Sequence, residues 1–360
     1  MKLPADNVAR LRARFDGVRV CVTGGAGFIG GHLVDALASV GAIVTVIDDL
    51  SSSTLDHLGE LIDLDPERVR FVHGSILDDD ALADAVGDPG VDTVFHLAAI
   101  GSVPRSIKEP QRTWSVNASG TVRVLEAARR AGVRRVVFAA SSSAYGGGAE
   151  APRATNGHKP AASAPTSPGA VPLAETATPS PLSPYAASKL AGEAALAGWA
   201  RSLDMSAVSL RFFNIFGPRQ SADSAYAAVI AAFAKRLLAG EPPIIYGDGR
   251  QSRDFTHVSN AVLACLLAAT SERPLRGEII NVGSGRSTTL LELLAAMQHA
   301  CSITNPPPPR FEPLRAGDVR HSLADLSRAR DLLGYAPIVN LEDGLTDTLA
   351  WYRAACAAAE

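Results

Sequence analysis

Through the first 145 residues, short β-branched and apolar runs alternate with longer amphipathic stretches. Val18–Thr23 (VRVCVT), Ile43–Asp48 (IVTVID), Val69–His73 (VRFVH), Thr93–Leu97 (TVFHL) and Arg135–Ala139 (RVVFA) read as strands. Between them, HLVDALASVG and VNASGTVRVLEAARRAG carry apolar positions at helical spacing. Strand–helix–strand units of this length join by right-handed crossovers, which predicts an α/β fold: a doubly wound parallel sheet covered on both faces.

From 146 to 184 the patterning stops. GGGAEAPRATNGHKPAASAPTSPGAVPLAETATPSPLSP is rich in Pro, Ala, Gly and Ser, and reads as a surface loop with little structure of its own. A long helix is expected from Tyr185, followed by the strand Ser206–Phe213. Beyond about residue 217 the elements shorten and mix. The expected division is therefore a first domain over 1–205, with 146–184 an irregular insertion, and a smaller α/β substrate domain over 206–360. Some segments of the second would return to the sheet of the first.

Composition narrows the function classes. The 360 residues are 47% hydrophobic and 20% charged, enough to bury a core and too apolar for a disordered chain. With 34 Lys+Arg against 37 Asp+Glu the net charge is -3, the pI is about 6.3 and the mean hydropathy +0.11, which argues against a nucleic-acid partner. No apolar leader and no run of about 18 uncharged apolar residues appears, so neither secretion nor a membrane span is expected, and the chain reads as cytoplasmic. Cys21, Cys265, Cys301 and Cys356 form no C-x-x-C pair and read as buried thiols of a reducing compartment, with no metal site.

Thr23-Gly24-Gly25-Ala26-Gly27-Phe28-Ile29-Gly30 follows the first strand and opens a helix. Such glycines allow a tight turn and close backbone approach to a pyrophosphate, while the helix N-terminus offers free N–H groups and positive dipole. Asp48 ends the second strand 21 residues after Gly27, followed by Asp49. A carboxylate there accepts ribose hydroxyls and repels a 2′-phosphate, which favours NAD over NADP in a Rossmann-like sheet. Tyr185 and Lys189 stand four apart at the start of a predicted helix, so they share a face. A nearby ammonium is expected to pull the phenol below its usual value of about 10, toward a working base. Ser141, Ser142 and Ser143 follow the strand at Arg135–Ala139, at the carboxyl edge where such sheets place ligands.

Glycine loop, strand-end serines and Y-x-x-x-K in this order resemble the extended short-chain dehydrogenase/reductase family, and more narrowly its nucleotide-sugar 4-epimerases. HLAAIGSVPRSI (96–107), VNASGT (116–121), LSPYAASK (182–189), RFFNIFGPRQ (211–220), YGDGRQSRDFTHV (246–258), INVGSG (280–285) and RAGDVRHS (315–322) carry the resemblance. It implies that Tyr185 takes the proton from sugar O4, that Lys189 holds the nicotinamide ribose, and that Ser141 bonds near O4. The NAD contacts it implies are Gly24, Gly27, Phe28, Ile29, Gly30, Asp48, Asp49, Ser75, Ile76, Leu97, Ala98, Ala99, Asn117 and Phe213, with Ser141, Tyr185 and Lys189. Position 75 is usually aspartate in the family, so Ser75 offers no carboxylate there. The implied substrate contacts are Gly101, Ser102, Ser142, Ser143, Asn214, Gln220, Val229, Tyr246, Arg253, Arg315, Asp318 and Ser322, the arginines suiting a pyrophosphate. It also implies a homodimer through two long helices, around 112–131 and 185–203.

Related dehydratases and decarboxylases carry an acidic residue after the strand, where this chain has Ser142, Ser143 and Ala144. Epimerisation is therefore expected. Ser322 stands where hexose-restricted relatives have a tyrosine, and Gly101 where some have lysine, leaving room for a 2-acetamido group. The expected substrates are UDP-GlcNAc and UDP-GalNAc, with UDP-glucose weaker. A UDP-glucuronate 4-epimerase and, in a different class, a non-catalytic NAD-binding regulator are the alternatives. The insertion reads either as a plain loop or as a partial lid.

Overall fold

The computed structural model describes residues 5–56, 58–87, 90–146, 170–222, 228–314 and 319–358. In chain order its strands are β1 (Arg19–Thr23), β2 (Ile43–Asp48), β3 (Val69–His73), β4 (Val91–His96), β5 (Arg135–Ser141), β6 (Ser206–Phe212), β7 (Ile215–Phe216), β8 (Ile244–Tyr246), β9 (Ser252–Arg253), β10 (Thr256–His257), β11 (Arg276–Val282), β12 (Thr288–Thr289) and β13 (Arg310–Glu312). Seven of them form one parallel sheet in the order β11-β6-β5-β4-β1-β2-β3. The order reverses between β1 and β4, so the crevice that binds ligands in such sheets opens at their carboxyl ends.

Burial on both faces explains why the inner strands read as continuous apolar runs, whereas the edge strand β3 exposes Arg70 and His73. Every residue of β6 is buried, and β1 exposes only Arg19. One face packs on the helices Phe28–Ser39 and Val258–Thr270, the latter buried at all 13 positions. The other packs on Asp79–Val86, Gly120–Arg130 and Pro184–Ser202. A further core, around Phe216, Phe233, Leu237, Leu293, Met297 and Leu349, holds a smaller lobe built from the later helices. Short pairs β7–β10, β9–β12 and β8–β13 lie outside the main sheet.

Three expectations need correction. The helix expected around 112–131 runs from Pro110 to Arg130 and contains a π-helical turn, Ser115–Ser119. The insertion is not all loose surface: 147–169 lies outside the described residues, but 170–184 is fastened down. Leu173 N–H donates to Leu323 O at 2.8 Å, Asp325 N–H to Leu173 O at 3.1 Å and Ser180 N–H to Ala144 O at 3.0 Å. Cys21, Cys265 and Cys301 are buried, whereas Cys356 is exposed, because the last turns of the helix Leu341–Ala358 lie on the surface. No described helix is long and apolar enough to cross a membrane.

Candidate active site

β1 delivers the glycine loop into the crevice. A Cβ on Gly24, whose φ is +72°, would lie 2.6 Å from Ala98 N, and one on Gly30 would lie 2.1 Å from Gly24 O. Only glycine permits these approaches, which seat the loop on the chain after β4. Gly27 caps the helix Phe28–Ser39 and offers no side-chain acceptor to the orphan N–H groups of its first turn. At the end of β2, Asp48 Oδ2 accepts from Ala26 N–H at 3.1 Å, while Oδ1 accepts from Leu50 N–H at 2.9 Å and from Ser53 Oγ at 3.3 Å. Burial raises its pKa against those bonds. Asp49 is exposed and accepts the local Ser51 N–H. A dinucleotide fits this cradle: glycines for a close pyrophosphate, free N–H groups, and a carboxylate one strand away.

The floor is tied together by two side chains. His96 Nδ1 meets Thr23 Oγ1 at 2.7 Å and Nε2 meets Thr121 Oγ1 at 2.9 Å, clamping β1, β4 and the helix behind them. Burial, with a smaller push from Lys189, takes this imidazole down to about 3, so it stays neutral. Asn117, in the π-turn, accepts from Ile100 N–H at 2.8 Å and donates to Ile100 O at 3.2 Å and Ser188 Oγ at 3.0 Å. It links the 97–101 segment, with Leu97, Ala98 and Ala99, to the helix that carries Lys189. Ile76 is buried and packs on Gly120, while the Ser75 hydroxyl accepts from Leu77 N–H. Sequence reasoning missed His96, although it opens the HLAAIGSVPRSI segment.

Ser141 ends β5 and caps the 3-10 turn Ser142–Tyr145, accepting from Ser143 N–H at 3.2 Å and from Ser143 Oγ at 2.9 Å. Tyr185, in the first turn of Pro184–Ser202, hydrogen-bonds the Ser141 side chain. Lys189 lies one turn on and is buried; its Nζ donates to Ala139 O at 2.7 Å and sits 4.9 Å from the Phe138 ring centroid. Burial pushes this ammonium down to about 8 against the pull of the Glu193 carboxylate. The expected depression of Tyr185 is not found: burial raises the phenol above its usual value, with only the Ser141 bond opposing. Lys189 and Tyr185 share a helix face, but the ammonium is occupied by the Ala139 carbonyl.

Toward the smaller lobe, Phe213 is buried and Asn214 takes a φ of +34°, its Nδ2 3.5 Å from Asp254 O. The next loop docks on the glycine-loop helix: His32 Nε2 meets Pro218 O at 2.9 Å, and Arg219 pairs with Asp35 at 2.7 Å. Gln220 donates to Ile215 O, while its Oε1 is buried with no hydrogen-bond partner among the described residues. Arg253 is 9% exposed and donates to Ser252 O at 2.8 Å; Ser322, 7% exposed, runs beside it through its N–H to Ser252 O. Val229 opens the helix Val229–Leu238, and Tyr246 ends β8. Gly101 is exposed with open space about its Cβ position, and Ser102 caps the helix Val103–Lys108. Ser142 and Ser143 lie in the half-buried turn. Arg315 and Asp318 lie outside the described residues. Among the described residues, no three His, Cys, Asp or Glu side chains gather as metal ligands would.

The profile of the NAD dependent epimerase/dehydratase family matches residues 20–283, from β1 through β11. The chain belongs to this family. A UDP-glucose 4-epimerase of Mycolicibacterium smegmatis is 38% identical over 337 residues, covering 93% of this chain and 99% of that protein. Among solved structures, UDP-glucose 4-epimerase from Thermotoga maritima, crystallised with UDP-glucose, is 34% identical with a TM-score of 0.83, covering 94% of this chain and all of that one. UDP-N-acetylglucosamine 4-epimerase from Methanobrevibacter ruminantium, in complex with UDP-N-acetylmuramic acid, is 35% identical with a TM-score of 0.82, covering 95% of this chain and all of that one. Family membership makes NAD the cofactor and agrees with the seven-stranded Rossmann-like sheet.

Proposed function

We propose that this protein interconverts the C4 epimers of a UDP-sugar through a transient 4-keto sugar, with UDP-GlcNAc and UDP-GalNAc the preferred pair and UDP-glucose weaker. The observation that carries this is Tyr185 bonded to Ser141 in a strand-end turn, SSSAYG, that holds no carboxylate. Elimination needs a proton moved at C5 and decarboxylation needs the keto-sugar steered toward loss of CO₂; a turn of small hydroxyls supports neither. NAD, when bound, accepts the C4 hydride and returns it.

The chain's own residues supply proton handling and orientation. Tyr185 takes the O4 proton and returns it to O4 once the 4-keto sugar has turned over to offer the opposite face of C4 to hydride, and Ser141 holds O4 within reach of the Tyr185 oxygen. Because burial starts the phenol above its usual value, its ionisation depends on positive charge beside it, and Lys189 carries that charge at neutral pH. Gly101 and Ser322, both small, support the acetamido preference. Arg253, with Arg315, is suited to the UDP pyrophosphate.

The test is to incubate the purified protein, without added NAD, with each UDP-sugar and separate the epimers. Interconversion of the acetamido pair ahead of UDP-glucose is expected. A 6-deoxy-4-keto product, released CO₂ or conversion of UDP-glucuronate alone would overturn the reading. Tyr185→Phe is expected to lower turnover by about 10²–10⁴-fold while NAD stays bound. Ser322→Tyr should suppress the acetamido sugars and spare UDP-glucose; equal activity on UDP-GlcNAc would remove the pocket argument. The same reading makes the protein a homodimer through the helices of 110–130 and Pro184–Ser202, where Trp114 and Val122 are exposed. Light scattering at monomer mass would contradict it.

A further inference from the structure

Asn281, next to last in β11, is fully buried and has no part in the chemistry above. Its side chain is fully engaged. Oδ1 accepts from Tyr145 OH at 2.7 Å, and Nδ2 donates to Leu173 O at 2.7 Å and to Asp325 O at 3.2 Å. Its backbone N–H donates to Glu175 Oε1 at 2.8 Å. These partners belong to three stretches far apart in sequence. Tyr145 closes the turn that Ser141 begins. Leu173 and Glu175 lie in 170–184, which runs straight into Tyr185. Asp325 follows Ser322 by three residues.

The three stretches also touch one another around this amide. Leu173 bridges Ala324 in parallel, with hydrogen bonds to Leu323 O and from Asp325 N–H, and Ser180 N–H donates to Ala144 O. Burying an amide costs free energy that an apolar residue avoids, as Ile280 and Val282 on either side do. Fully satisfied, such a group instead fixes one arrangement of its partners. Burial holds the Tyr145 phenol up at about 12, so it remains a donor to Asn281 throughout the neutral range.

We infer that Asn281 is a positioning residue that locks the 170–184 stretch and the Ser322 segment onto the catalytic turn. The distance from Ser141 and Tyr185, which act at C4, to Ser322, beside the C2 substituent, is then set by one amide. Its kinetic consequence rests on the proposed epimerase reading; its structural consequence does not.

Two variants test this. Tyr145→Phe removes one oxygen and keeps the ring that packs on Phe213 and under the Arg211 guanidinium. Asn281→Ala removes the hub itself. Displacement of reacting groups by a fraction of an ångström predicts about a tenfold fall in kcat for Tyr145→Phe. It also predicts that the ratio of acetamido to plain UDP-hexose turnover moves toward one. In Asn281→Ala, amide hydrogen exchange is expected to quicken in 170–184 and 319–326 and to stay unchanged in β1 and β2. A lowered melting temperature with parental kcat and parental substrate ratio in Tyr145→Phe would leave Asn281 merely structural and overturn the inference. Should the parent convert no UDP-sugar, the proposed function falls alone. Exchange then decides this inference: quickening confined to the two stretches supports it, and unchanged or global exchange sinks it. If Asn281→Ala does not fold, the same exchange comparison is made on Tyr145→Phe.

Discussion

Lys189 shows what a working charge costs this fold. An ammonium 3% exposed, with one carbonyl, one ring face and a carboxylate a turn away, falls from 10.5 to about 8. That difference corresponds to about 3 kcal/mol of lost stability below pH 8, where the group is charged in both folded and unfolded states. The sign follows from proton counts. Between about 8 and 10.5 the unfolded chain still binds the proton and the folded one does not, so stability rises with pH. Lys189→Met has no such term. Its stability advantage over the parent, read from urea midpoints, should shrink by about 2 kcal/mol between pH 7 and pH 9.5. A constant difference would mean that the ammonium is not desolvated. The same desolvation is why sequence reasoning set the direction for Tyr185 wrongly: the spacing of Tyr185 and Lys189 is visible in the chain, but how deeply each is buried is a tertiary fact.

At the scale of elements, the least expected piece is the helix Val258–Thr270. It is buried all round to its last residue, Thr270, so its final carbonyls need partners within the protein. Arg135, 1% exposed at the start of β5, closes that end. Its Nη1 donates to Ala268 O, Ala269 O and Ser271 O at 2.8–3.0 Å, Nη2 to Arg273 O at 2.8 Å, and Nε to Ser206 Oγ at 2.9 Å. A planar fork of five donors suits this cluster, and a lysine cannot reproduce it. Arg135→Lys is expected to cost about 3 kcal/mol in chemical denaturation, from carbonyls left unpaired. A loss under about 0.5 kcal/mol would show that those carbonyls find other donors. Nothing in RVVFA announces this role, because the carbonyls it closes lie more than 130 residues away. The same reason divides what was legible from what was not. β2 falls on its expected bounds because a strand buried on both faces is a plain apolar run, and β3, the edge strand, does so on its Val69, Phe71 and Val72 although Arg70 and His73 are exposed. β7, β9, β10 and β12 have two residues each and so no period to read. β11 begins with a bulge at Arg276–Glu278 around Gly277, which broke its pattern. The glycine loop, the serines and Tyr185–Lys189 are local spacings and stood out, whereas Asn281 and His96 matter only through distant partners.

Across the whole molecule, the seams between its parts are held in places by neutral imidazoles. His96 clamps β1 to β4, His32 receives the 217–220 loop on the cofactor helix, and His257 caps Val258–Thr270 and faces Phe216 and Asp347 of the smaller lobe. Burial lowers all three; His96 falls to about 3 and His257 to about 4, the latter against the pull of Asp347. Lowered histidines make the unfolded chain the stronger proton binder below about 6.5, so stability is lost as pH falls through that value. Asp48, Glu175 and Asp254 oppose this, since burial raises them and the folded state then takes their protons first. His96 and His257 together set a maximum slope of about 2.7 kcal/mol per pH unit between pH 6 and pH 4.5, with the carboxyls reducing it. Urea midpoints should therefore fall from pH 7 to pH 4.5. His257→Asn keeps a side-chain acceptor at the helix cap while removing one titrating ring. It should flatten that fall by about 1.4 kcal/mol per pH unit. If the variant and the parent lose stability in parallel, His257 is not protonated on unfolding. The acid sensitivity would then arise elsewhere than at the join between the NAD-binding sheet and the smaller lobe.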